Sequence, residues 1–250
     1  GGDSKKNAQS PPVHPSTSAS STAPTSTVPT SPATSTSPPA TSSAPASTVA
    51  APPPDSVKRI TVPPLISGWH GVLSPKEKVA YDVPPGWKVE TPGTLVGFED
   101  NKGRPIAIMH GVSTYRSDAC PTVPGSYRGH TGFATAGDLA PTAAARAGVS
   151  VFARGVALRD NGSRAPISRT QLAGIRVDRG KIEAEYARAT VSLNDKSDCG
   201  SPSVVVVAVA FRTGPHATAL FIGYFDQGVR DALQISTARK IFTTLRPYTR

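Results

Sequence analysis

The chain predicts an α+β domain, an antiparallel β-sheet flanked by helices, preceded by a disordered Pro/Ser/Thr/Ala-rich tail. Three observations carry this. Apolar runs of strand length recur from residue 78 onward, and two longer stretches repeat apolar residues at helical spacing. The first fifty-odd residues, by contrast, are almost nothing but Ser, Thr, Pro and Ala.

From Gln9 to Pro54 there is no charged residue, no aromatic and no Gly. Such a tract buries too little apolar surface to offset the conformational entropy lost on folding. Residues 1–56 therefore read as a disordered linker and residues 57–250 as a single globular domain. The linker would reach about 140 Å as polyproline II and roughly 40 Å as a flexible coil. Its composition is also that of O-glycosylated stalks. Asn161-Gly162-Ser163 matches the N-glycosylation triplet.

Within the domain, Lys78-Val-Ala-Tyr-Asp-Val83 alternates as a short strand and Pro84-Pro85-Gly86 stops it. Extended structure resumes at Trp87 to Val89. Thr94 to Glu99 and Ile106 to Val112 form a strand pair, with Asn101-Lys-Gly103 as the turn. Leu139, Ala143, Ala144, Ala147, Val151, Phe152 and Val156 fall at helical spacing and predict a helix over 139–157. Pro141 suits its first turn, and Gly148 weakens it. Strands follow near Ser168 to Leu172 and Lys181 to Leu193. Ser203 to Arg212 and Ala217 to Phe225 read as a central antiparallel hairpin turning at Gly214-Pro215. A last amphipathic helix is expected over 229–245, with Leu233, Ile235, Ala238, Ile241, Phe242 and Leu245 toward the sheet.

The formal net charge is +10. Setting aside Lys5, Lys6, Asp3 and Asp55 leaves 25 basic and 15 acidic residues, so the excess belongs wholly to the domain. A basic domain favours anionic partners such as a cell-wall polymer or an acidic envelope protein. Nucleic acid is not expected, because no basic helix or stacking-aromatic motif is present.

The two cysteines, Cys120 and Cys199, sit in polar, turn-forming contexts and point to one disulfide. That implies an oxidising, non-cytosolic compartment. The chain opens Gly-Gly-Asp-Ser-Lys-Lys, which reads as a cut point below a membrane anchor upstream of Gly1, either a transmembrane helix or a lipidated cysteine.

No nucleophile elbow, phosphate loop, dinucleotide fingerprint or zinc motif is present, so no catalytic, cofactor or metal residues are assigned. Asp195 and Asp198 beside Cys199 read as a solvated loop. The candidate binding surface is aromatic and polar. Trp69 lies between glycines and polar residues, and Tyr127, Arg128 and His130 lie in a glycine-flanked segment just after Cys120. Trp87 reads as core.

Tyr81-Asp-Val-Pro-Pro-Gly-Trp87 and the closing Lys240-Ile-Phe-Thr-Thr-Leu-Arg-Pro247 resemble the Mog1/PsbP-like superfamily, which includes actinobacterial surface lipoproteins. Gly97-Phe98-Glu99-Asp100, Gly111-Val-Ser-Thr-Tyr115, Cys120-Pro121 and Ser126-Tyr-Arg128 resemble, in that order, an uncharacterised actinobacterial extracellular domain family. The resemblance spans Lys76 to Pro247. It implies an α/β/α sandwich serving as a non-catalytic binding or assembly module. The expected function is thus a membrane-tethered extracytoplasmic binding or scaffold domain. The rivals are a wall-modifying hydrolase or transferase with a dispersed site, and a lipid or glycolipid carrier with an apolar cavity between sheet and helix.

Overall fold

The computed structural model describes residues 61–248; the expected linker, residues 1–56, lies outside them. Its centre is a long hairpin of continuous apolar sequence. β10 (Ser203–Gly214) pairs antiparallel with β11 (Ala217–Gln227), as the Val-rich run and the Gly214-Pro215 turn predict. Both strands are buried on both faces, which is why they lack polar alternation.

The sheet grows outward from this hairpin. β9 (Ile182–Ser192) and β8 (Gln171–Val177) extend one side. β7 (Gly129–Thr135) and β6 (Pro105–Tyr115) extend the other. β4 (Lys88–Val89) and β5 (Val96–Glu99) share the outer edge of β6, one at each end. All pairings are antiparallel, giving an eight-stranded sheet.

One face is covered by α1 (Pro141–Ala157). Pro141 opens the helix without a side-chain cap. The buried stripe runs through Ala144, Ala145, Val149, Phe152 and Ala153, while Ala143, Ala147 and Leu139 stay exposed. The helix is turned about one residue from the expected face because its two glycines make the closest approach. A Cβ on Gly148 would lie 2.9 Å from Ile222, and one on Gly155 would lie 2.7 Å from Phe98. The sheet and α1 are therefore in close contact at both glycines.

The other face overturns the expected architecture. It is covered mainly by a second sheet of β1 (Thr61–Val62), β2 (His70–Ser74), β3 (Val79–Val83) and β12 (Arg246–Pro247), in the order β1-β2-β3-β12. The expected helix over 229–245 contracts to α2 (Ile235–Thr243), nine residues long. Gly228 turns with φ of 75°, residues 228–234 remain irregular, and Arg246–Pro247 join the small sheet. With two helices against twelve strands among the described residues, the fold is β-rich. Helices do not flank the sheet as in an α/β/α sandwich.

Tyr81 locks the two sheets together. Its ring packs edge-on against Phe133 and Phe221, and its hydroxyl donates to the carbonyl of Gly111 at 3.0 Å, beside Ser113 and Thr131. Gly111 has a φ of 60° at an irregularity in β6, where a Cβ would lie 2.9 Å from Ser74. Arg246 donates to the fully buried Asp82 at 2.9 Å, pinning β12 to β3. No helix of the described residues is long and apolar enough to cross a membrane.

Candidate functional site

Three loops converge where β6, β9 and β11 end. The β6–β7 loop and the β9–β10 loop are joined by the disulfide Cys120–Cys199, with Cα atoms 5.7 Å apart across 79 residues. The first of these loops is tightly wound. Cys120 N–H donates to Ser126 Oγ at 2.8 Å, Ser126 N–H to the Val123 carbonyl at 3.1 Å, and Gly125 N–H to Asp118 at 2.9 Å. Between the loops opens a cleft of about 740 Å3. Its lining includes Arg116, Lys196 and Arg230 together with Asp195, Asp198 and Asp231.

Arg128 forms the inner wall. Its Nε donates to Asp231 at 3.1 Å, and its Nη1 donates to Asp226 at 3.1 Å and to the Cys199 carbonyl at 3.2 Å. Only 8% of the residue is exposed. One guanidinium thus clips β7, the end of β11, the segment before α2 and the cystine loop. Burial pushes the Asp226 carboxyl up to about 6 although Arg128 pulls it down, and Asp231 and Asp195 add to the rise.

His130 lies two residues beyond Arg128, in β7. Its Nδ1 is 3.1 Å from Thr114 Oγ1, whose hydroxyl donates to Glu90 at 2.9 Å. Because that hydroxyl's proton goes to Glu90, Nδ1 carries the hydrogen that Thr114 accepts. Burial, with Lys88 nearby, lowers the imidazole to about 3, so it is neutral. The Tyr127 ring packs on it, tilted, with centroids 4.0 Å apart, and Tyr224 packs edge-on at 5.5 Å. Burial raises both phenols.

The structure divides the sequence-selected residues. Cys120, Cys199 and Arg128 meet at the cleft, and Tyr127 and His130 pack inward beside it on the α1 face. Trp69 is half-buried against the apolar cluster on the opposite face, after the turn in which its N–H donates to the Ile66 carbonyl at 3.1 Å. Trp87 is core, packed 5.1 Å from Tyr115. The segment holding Arg128 and His130 leads into β7, an interior strand, so both side chains already have internal partners.

Sequence reasoning missed Asp226 and Asp231, which sit in unremarkable polar sequence. It also missed a second, basic groove at the other end of β6, lined by Lys102, Arg104, Arg154 and Arg164. One signal was available. Residues 141–170 hold five arginines against a single aspartate.

The arrangement defines a disulfide-stapled, two-sheet β domain with charged surface clefts. The chain belongs to the family described as Domain of unknown function (DUF8017), whose model matches residues 62–250, nearly the whole of the folded part. Neither a curated protein nor a solved structure matches the chain.

Proposed function

We propose that this chain is an extracytoplasmic, membrane-tethered, non-catalytic binding or scaffold domain of an actinobacterial cell-envelope protein. Its partner is an anionic wall component or an acidic envelope protein. The observation that carries the proposal is the placement of charge: the whole +10 belongs to the domain and none to the neutral tract before it. The disulfide supports an oxidising compartment. The close packing of α1 on the sheet at Gly148 and Gly155 favours binding at the surface over carriage of a lipid inside. Pro, Ser, Thr, Ala and Arg-rich usage fits a high-GC actinobacterium.

The test is retention of the full chain on an immobilised anionic wall polymer and on a neutral glucan, at low and high salt. Retention on the anionic matrix alone is expected. Equal behaviour on the two matrices would overturn the proposal. Loss at high salt would mean that net charge acts by itself, and persistence would indicate a shaped site.

A further inference from the structure

We propose that the basic groove at the Pro105 end of β6 is a subsite for a sugar-phosphate unit. This assigns a location and a chemistry to the anionic partner and rests on that reading.

Three segments build the groove: the β5–β6 turn, the last turn of α1, and the loop that follows it. It encloses about 410 Å3, within the range of about 300–1,000 Å3 typical of small-molecule sites. Its cations are Lys102, Arg104, Arg154 and Arg164. Of these four, only Arg104 forms an ion pair among the described residues, with Asp100 at 2.7 Å. Asp100 also accepts the backbone N–H groups of Lys102 and Arg104, and these bonds hold its carboxyl down at about 2. Arg104 and Asp100 therefore cancel, leaving Lys102, Arg154 and Arg164 as the excess charge of the lining. Arg154 also lies in the last turn of α1, where a cation offsets the negative helix end.

The walls are fixed before any ligand arrives. Asn101 Nδ2 donates to the Asp160 carbonyl at 3.0 Å, tying the turn to the loop. Leu158 and Arg164 pair as an isolated bridge, and Ala165 N–H donates to the Ala157 carbonyl at 2.8 Å. Ile106 and Leu158, both half-buried, supply apolar surface between the charges.

Guanidinium groups match the oxygens of phosphate by paired hydrogen bonds. A phosphomonoester carries about −1.5 to −2 charges near neutral pH, against one for a carboxylate. The excess of cations over carboxylates in the lining thus favours phosphate. The apolar strip suits the C–H face of a sugar ring, which inorganic phosphate lacks.

The experiment titrates the 15N-labelled full chain with glucose 1-phosphate, and separately with glucose, glucuronate and inorganic phosphate. Glucose 1-phosphate should move the amides of residues 101–104, Ile106 and residues 154–164 and bind more tightly than the other three. Exchanging Arg154→Gln together with Arg164→Gln should weaken it by at least about tenfold, given the usual worth of a charged hydrogen bond. The melting temperature should fall by no more than a few degrees, since both side chains are exposed and only Arg154 faces the helix end. Shifts confined to other residues, glucuronate binding as tightly, or wild-type affinity in the double variant would each overturn the proposal. Retention on immobilised polyphosphate separates the two levels. If wild type and double variant are held equally, the groove assignment falls and the wider function stands. If wild type is not held even at low salt, the anionic-partner reading itself falls.

Discussion

Arg128 and Asp226 meet in the inner wall of the disulfide-end cleft, where burial governs the charge of the carboxyl. Asp226 is mostly shielded from water, so its ionised form is penalised and its carboxyl titrates near 6 rather than at the ordinary 3.8. Between about pH 4 and pH 6 the folded protein therefore holds a proton that the unfolded chain has released. Native stability from this group is highest below the window and falls as pH rises through it. Relative to an Asp226→Asn variant, wild type should lose up to roughly 3 kcal/mol between pH 4 and pH 7. Denaturant unfolding of both proteins across that range would reveal it, and a constant difference would refute the account. His130 is the converse case, a neutral imidazole whose charge cannot serve a binding surface near neutral pH.

At the scale of elements, the two glycines of α1 separate helix propensity from packing. Alanine is the better helix former by up to about 1 kcal/mol. At Gly148 the new methyl would meet only the flexible tips of Ile222 and Leu220, so Gly148→Ala should change stability by less than about 1 kcal/mol. At Gly155 it would press on the Cβ, Cγ and Cδ2 of Phe98, all at 2.7 Å. Gly155→Ala should therefore destabilise by about 1–3 kcal/mol. Thermal melts of the two variants should fall in that order. The contrast also explains what periodicity conveys about α1. Apolar spacing locates the helix to within two residues, but the buried face is chosen by where its backbone can come closest to the sheet. β7 shows the complementary failure. Tyr-Arg-Gly-His-Thr-Gly resembles a flexible loop, because its glycines and polar residues fit a central strand only once Tyr224, Phe225 and Met109 surround them.

For the molecule as a whole, the disulfide joins two loops that no continuous strand connects. Closing 79 residues should contribute roughly 4 kcal/mol by restricting the unfolded chain. The paired variant Cys120→Ser with Cys199→Ser should lose about that amount. A reductant should lower the melting temperature of wild type and leave the variant unchanged. Charge also organises at this scale. The five arginines of residues 141–170 are spread along the chain, and the fold brings Arg154 and Arg164 beside Lys102 and Arg104, some fifty residues earlier. Linear spacing carries no trace of that meeting.

The sequence by itself determined the central hairpin, the placing of α1, the cystine and the basic character of the domain. Each of these is written in local composition or periodicity. Only the tertiary structure decided that a second sheet covers the face opposite α1. The strands β1, β2 and β12 are too short and mixed to stand out, and they become strands only by pairing with each other and with β3. It likewise decided that Arg128 is an internal clip and that four cations from separate segments share one groove. Burial and proximity are properties of the folded chain, and neighbouring residues do not encode them.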